Sequence, residues 1–228
     1  MAEIKLILGD CLQEMKTIPD KSIDLVLTDP PFNVSLDYKS IDDNMNDEDY
    51  YLWCKKWLIE CCRVLKERHY GIIFTGDKKS FYVHKAIMES GLSFHHFLKW
   101  YKPTCQRGLS GSVLFGRTEL AFLTSKGKPD ISLINRKKFY QDTIILKNTT
   151  PNQSDAVEHN ARRPEGLYRL IIEGFSNEGD TICDCFLGSG SCGMAAKEVK
   201  RNFIGIEIEP KYFEIAERRI NQTTENLL

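Results

Sequence analysis

The sequence predicts an α/β fold: a doubly wound, mostly parallel sheet with helices on both faces and an antiparallel strand extension. Three observations predict it. Short apolar runs alternate with helical periodicities through the first hundred residues and again through the last sixty-five or so. The run Ile23-Asp24-Leu25-Val26-Leu27-Thr28 is nearly continuously apolar, as a strand covered on both faces requires. Residues 99–160 are poor in helical signal, which suits an antiparallel extension carrying an inserted recognition region.

The elements follow in order. Lys5 to Leu8 reads as a strand ended by Gly9-Asp10, and Cys11 to Ile18 as a short helix closed by the turn Pro19-Asp20-Lys21-Ser22. Ile23 to Thr28 is the second strand. Residues 33–47 are polar and read as a long mobile loop. Asp47 is the expected cap of a helix from about Glu48 to Lys66, with Trp53 and Trp57 on its apolar stripe and read as core. Gly71 to Phe74 is a strand, Gly76-Asp77 a turn and Phe81 to Ser90 a helix. Phe94 to Trp100 and Glu119 to Thr124 are strands joined by a glycine- and serine-containing connection. Thr143 to Leu146 is a short strand, and Pro164 opens a helix through about Phe175. Asp180 to Cys183, 190–200, Asn202 to Ile206 and Pro210 to Asn221 then read as strand, helix, strand and helix.

Bulk properties narrow the class. The 228 residues suit one domain, with 126–160 and the loop 103–117 as a small target-recognition region. The amino terminus enters a strand directly and no apolar run is long enough to span a bilayer, so a cytoplasmic protein without membrane attachment is expected. The eight cysteines are scattered; Cys61, Cys62, Cys183 and Cys192 fall within core elements and read as buried free thiols. Cys183-Asp184-Cys185 has the wrong spacing for a zinc knuckle, so no metal is expected. The net charge of −1 conceals a division: residues 99–147 carry 10 basic and 3 acidic side chains, between flanks that are each net −4. Such a middle segment forms either a positive binding surface or a solvated lysine-rich face.

Asp29-Pro30-Pro31-Phe32 follows the second strand, so a carboxylate, a rigid turn and an aromatic ring stand together at the open end of a sheet. That combination can hold a planar, nitrogen-bearing group against an electrophile. Farther on, Asp184-Cys185-Phe186-Leu187-Gly188-Ser189-Gly190-Ser191 follows one strand and opens a helix. Its glycines are not arranged as in a dinucleotide fingerprint, and the Lys of a phosphate loop is absent. Glu207 ends the next strand, 19 residues after Gly188, where an acid can accept both hydroxyls of a ribose. A tight packing turn with an exposed strand-end charge would look the same in isolation. Strand, glycine turn, helix, strand and acid together favour a nucleoside-bearing cofactor.

With these motifs, the chain resembles S-adenosylmethionine-dependent DNA amino-methyltransferases, which modify adenine N6 or cytosine N4. Gly9-Asp10-Cys11, Ile23 to Asn33, Lys99 to Pro103, Glu119 to Gly127 and Phe203 to Tyr212 match that family in kind. The amine-holding turn precedes the cofactor turn, as in the circularly permuted beta class, so the resemblance implies a permuted Rossmann-like methyltransferase. It implies that Asp29, Pro30, Pro31 and Phe32 form the catalytic turn. Asp184, Phe186, Gly188, Ser189 and Gly190 would form the cofactor turn, Glu207 would accept the ribose, and Asp10 would lie near the adenine. Arg162-Arg163-Pro164 corresponds to a segment that usually reads Gln-Lys-Pro. Cys185 replaces a usual proline and Leu187 a small residue, so the turn differs in shape from the family's.

The expected substrate is duplex DNA, contacted through Lys99, Lys102, Arg107, Arg117, Arg136, Lys137 and Lys138. Adenine N6 is the expected target, because Asp at the first turn position is more frequent among adenine enzymes of the family. Cytosine-N4 methylation, methylation of RNA or of a protein amide, and a non-catalytic nucleic-acid-binding module are the competing readings. Residues 126–160 and the short glycine-containing connection are little material for reading a long site, so a short recognition sequence, a homodimer or help from a partner is expected, with a cognate restriction endonuclease as a further partner.

Overall fold

The computed structural model describes residues 2–34, 43–103, 117–139, 141–147 and 163–224. Its strands are β1 (Ile4–Leu8), β2 (Ile23–Thr28), β3 (Leu65–Thr75), β4 (Leu92–Tyr101), β5 (Thr118–Lys126), β6 (Thr143–Ile145), β7 (Thr181–Asp184) and β8 (Asn202–Glu207). Its helices are α1 (Cys11–Glu14), α2 (Asp47–Val64), α3 (Ser80–Glu89), α4 (Glu165–Phe175), α5 (Ser191–Glu198) and α6 (Pro210–Gln222). The strands form one sheet in the order β1-β8-β7-β2-β3-β5-β4-β6. β1, β8, β7, β2 and β3 are mutually parallel, and β5 is antiparallel to both β3 and β4. β6 lies parallel to β4 at the far edge. This is the expected architecture, with the short β6 restoring a parallel pair after the antiparallel step.

Strand composition explains why both faces are covered. Leu25 and Leu27 of β2 enter one core with Ile72, Phe74, Ile182 and the apolar faces of α4, α5 and α6. Ile23 and Val26 enter the other, with Ile73, Cys183 and residues of α1, α2 and α3. Helix α4 alone buries Leu167, Ile171, Ile172 and Phe175, each worth roughly 1.5–3 kcal/mol. Among the described residues no helix is long and apolar enough to cross a membrane.

Several boundaries move for local reasons. The cap of α2 is Asn46, whose side chain accepts from the Asp49 N–H; Asp47 is the first helical residue. The helix ends at Val64, so Leu65 and Lys66 leave it and, with the charged run through His69, join β3, with Arg68 in the left-handed region (φ 68°) and a register shift opposite β2. The ends of the segment read as a mobile loop are tied together. Asp43 accepts from the backbone N–H groups of Asn33 and Val34, while the Asn33 amide exchanges hydrogen bonds with the Met45 backbone. Residues 35–42 lie outside the described residues. Cys62 is half-buried rather than core, unlike Cys61, Cys183 and Cys192.

Strand order positions the site. β2 has β7 on one side and β3 on the other, and the chain leaves β2 and β7 in opposite directions. The carboxyl ends of β2 and β7 therefore flank the topological switch point, where open α/β sheets bind ligands.

Candidate active site

Four acids mark the carboxyl rim of consecutive strands: Asp10 just after β1, Glu207 ending β8, Asp184 ending β7 and Asp29 just after β2. At roughly 4.8 Å between strands, the row spans about 14 Å. Each acid has different partners, and those partners decide what it can do.

Asp184 is buried. Its Oδ1 accepts from the Thr28 hydroxyl at 2.8 Å and from the Phe186 N–H at 3.1 Å. The first bond crosses from β7 to the last residue of β2, so the glycine turn and the Asp29 turn are fastened through one carboxylate. Burial raises its pKa to about 6, opposed by those two hydrogen bonds. Glu207 accepts from the Gly188 N–H at 2.7 Å and the Glu209 N–H at 2.8 Å. Burial raises its pKa too. Asp10 is exposed and caps α1 through the Leu12 N–H, at 2.9 Å.

The glycine turn is packed closely against α6 at Gly190. Gly188 and Gly190 have φ of 54° and 83°, and a Cβ on Gly190 would lie 2.9 Å from the Ala216 backbone. Arg219 braces the turn from α6. Its Nη1 donates to the Ser189 carbonyl and, at 3.0 Å, to the Ser189 hydroxyl, while Nη2 reaches Glu165 at 2.7 Å. Phe186 is half-buried and meets Trp53 and Trp57, with ring centroids 5.5 and 5.3 Å away. Trp57 is core, as expected, whereas Trp53 is only partly buried and fronts the cofactor turn.

On the other side, Pro30 and Pro31 are buried, while Asp29 and Phe32 are half-buried. The Tyr50 hydroxyl donates to the Pro31 carbonyl at 3.0 Å, so the turn is pinned one residue beyond the Pro30 carbonyl. Gly76 makes room for Phe32: a Cβ there would sit 3.2 Å from three of its carbons. Asp29 is ion-paired with Nη1 of Arg163, and Nη2 of the same guanidinium lies 2.9 Å from Glu119. The Arg163 Cζ stands 4.4 Å from the Phe74 ring centroid and 5.4 Å from that of Phe32. Burial lowers the pKa of Arg163 to about 10, which still leaves it charged at neutral pH.

The basic candidates divide between the two ends of the sheet. Lys99, Lys102 and Arg117 lie at the carboxyl rim, where the end of β4 pairs with the start of β5. Lys99 is ion-paired with Asp142 at 2.7 Å, and Lys102, nearly buried, with Glu119 at 2.7 Å. Arg117 is exposed beside the Tyr101 hydroxyl. Arg136, Lys137 and Lys138 are not brought to this rim. The Asn135 N–H donates to Gly174 and Lys138 pairs with Glu173, at the end of α4 that leads into the start of β7. They occupy the opposite end of the sheet, so the structure separates them from Asp29. Arg107 and Arg162 lie outside the described residues.

Glu119, Phe74, Gly76, Thr28 and Arg219 were not singled out from the sequence. A usable signal existed for Glu119, an acid at the entrance of the otherwise apolar run Leu120-Ala121-Phe122-Leu123. The ion pair of Arg163 with Asp29 had none, because 134 residues separate the partners.

Residues 23–218 match the family described as DNA methylase. The chain belongs to the DNA amino-methyltransferase family. This member is 30% identical to the type II methyltransferase M.HpaI of Haemophilus parainfluenzae, over 95% of this chain and 74% of that protein. It is 26% identical to the DNA adenine methyltransferase YhdJ of Escherichia coli (strain K12), over 95% and 82% respectively. The PvuII cytosine-N4-specific DNA methyltransferase shares the fold, with a TM-score of 0.81 at 21% identity over 100% of this chain and 89% of that one.

The cofactor of this family is S-adenosylmethionine, and the residues present fit it. Gly188 and Gly190 take the positive φ that turns the backbone sharply at the end of β7, and at Gly190 α6 leaves no room for a Cβ. Beside it the buried Ser191 hydroxyl has no partner, and the Glu207 carboxylate is fixed at the end of the adjoining strand.

Proposed function

We propose that the chain methylates the exocyclic N6 amine of adenine within a short sequence of duplex DNA. The observation that carries the reading is the Thr28–Asp184 hydrogen bond at the switch point. It locks the amine-holding turn to the cofactor turn, so the two reactants would meet at one place.

Bound S-adenosylmethionine supplies an electrophilic methyl group on a sulfonium. The remaining work falls to the chain. Asp10 and Glu207 hold the nucleoside end of the cofactor, and the turn from Asp184 through Gly190 receives its amino-acid end. An exocyclic amine is a poor nucleophile because its lone pair is delocalised into the ring. Asp29 accepts one of its N–H bonds and the Pro30 carbonyl the other, which favours pyramidal nitrogen and stabilises the positive charge that develops there. The Pro31 carbonyl is already engaged by Tyr50, which leaves the Pro30 carbonyl as the backbone acceptor on this turn. Phe32 stacks on the base. A base inside a duplex cannot reach such a pocket, so the target nucleotide is flipped out.

Asp at the first position of the catalytic turn favours adenine by resemblance, and the likeness to an adenine methyltransferase supports it. The fold serves either amine. The likeness to a type II methyltransferase also makes a cognate restriction endonuclease part of this reading. Single-molecule sequencing of DNA from a host expressing the chain tests base and site together. The expected result is N6-methyladenine in one short motif, absent with Asp29→Ala. N4-methylcytosine would replace the adenine assignment, and in a parallel assay with duplex DNA and RNA of the same sequence, tritium from labelled S-adenosylmethionine entering only RNA would remove DNA as substrate.

A further inference from the structure

We infer that Arg163 is a resident stand-in for the target amine: its guanidinium holds the place on Asp29 and Phe32 that the base takes, and the incoming base displaces it onto Glu119. The inference rests on the reading that Asp29 receives the amine.

The chemistry of the two occupants is alike. A guanidinium and an aminated base edge are both planar, delocalised and N–H-bearing, and both stack on aromatic faces. Arg163 satisfies both halves of the pocket at once, with Nη1 on Asp29 and Cζ 5.4 Å from the Phe32 centroid, while Phe74 supports it at 4.4 Å. It is buried, so the cation belongs to the pocket and not to the solvated surface.

A second buried arginine shows what a purely structural one looks like here. Arg201 donates from Nε to the Ser176 hydroxyl, from Nη1 to the Val199 carbonyl and from Nη2 to the Ser176 carbonyl. The Arg163 Nε has no hydrogen-bond partner, and Nη1 and Nη2 are held by ion pairs with two carboxylates, Glu119 Oε2 itself making no hydrogen bond. An arginine held by two carboxylates can surrender one and remain paired. Breaking an isolated buried pair would instead strand a charge, which is strongly unfavourable. Lys102 on the other oxygen of Glu119 keeps that carboxylate in place to receive the guanidinium. A base with a carbonyl where the amine should be would offer Asp29 no donor in exchange. Displacement therefore selects for amine-bearing bases.

Steady-state methylation of a duplex substrate at saturating S-adenosylmethionine tests this with wild type and Arg163→Gln; Arg163→Met is the second variant should the first not fold. Without the competing cation, KM for the duplex falls about tenfold, the scale of one close charge pair. Free guanidinium chloride, against sodium chloride at matched ionic strength, then inhibits the variant competitively with DNA and leaves the wild type at its salt control. An unchanged or higher KM overturns the proposal, as does guanidinium inhibition that is equal in both proteins or absent from both. Asp29→Ala run in parallel separates the two levels. Transfer surviving in that variant removes the reading of Asp29 itself, whereas its loss beside an unchanged KM in Arg163→Gln removes only the stand-in.

Discussion

On the cofactor side of the rim, Asp10, Glu207 and Asp184 are held by backbone N–H groups or a hydroxyl close to them in the fold. On the amine side, Asp29 and Glu119 are held by the side-chain cations Arg163 and Lys102. Backbone donors cannot leave, so the cofactor half is built once, when β7 and β8 close. A side-chain cation can be exchanged for another donor, and in the proposed function the Asp29 half is where the substrate enters. The division of partners matches the division of labour.

The largest effect that would break this contrast belongs to Gly190→Val. Positive φ and the Ala216 backbone 2.9 Å from the new Cβ force the turn open. Calorimetry should show S-adenosylmethionine binding weakened by roughly a hundredfold or more, with a lowered Tm, since about 3 kcal/mol of strain corresponds to that factor. Glu207→Gln is gentler. It keeps an acceptor oxygen for one of the two backbone N–H groups but sets an NH2 against the other, so one charge-assisted hydrogen bond is lost, worth about 1.5–3 kcal/mol. Binding weaker by ten- to a hundredfold is expected, and an unchanged Kd would mean that Glu207 only supports the fold.

Asp184→Asn sharpens the contrast through pH. Burial raises this carboxyl to about 6, so the folded protein takes up its proton more readily than the unfolded chain. The resulting stabilisation is complete below about pH 4 and is lost as pH rises through about 6. The amide retains an acceptor for Thr28 and Phe186 without that loss. The variant's Tm should therefore gain on wild type between pH 4 and 6 and hold its advantage above. A gap independent of pH would contradict the assignment.

The smallest effects separate the two ends of the sheet. Lys99→Ala or Arg117→Ala should each reduce the slope of log K against log salt for duplex binding by about 0.9 if it meets a phosphate. Lys138→Ala, at the opposite end, should leave the slope unchanged.

The same contrast explains what was legible in the sequence. Asp29, the Gly188-Ser189-Gly190 turn and Glu207 could be singled out because each sits in a short motif at the end of a strand, which the local sequence displays. The helix from Pro164 was legible in the same local way, and the permuted order through the family resemblance. Arg163 as the partner of Asp29 was not, since nothing local distinguishes an arginine that returns to a carboxylate across the sheet. Nor could charge counting place Arg136 to Lys138, because a basic segment says nothing about which end of the sheet its turns occupy. The strand extent of β3 was hidden by its charged run, which only the left-handed Arg68 accommodates.

Transfer of tritiated methyl groups to duplex DNA, with cofactor calorimetry on the same preparations of wild type and Asp29→Ala, bears most directly on the Asp29 site. Wild type should transfer and bind, whereas Asp29→Ala should bind the cofactor normally and transfer at least about a hundredfold more slowly. Transfer at the wild-type rate by Asp29→Ala would contradict the account.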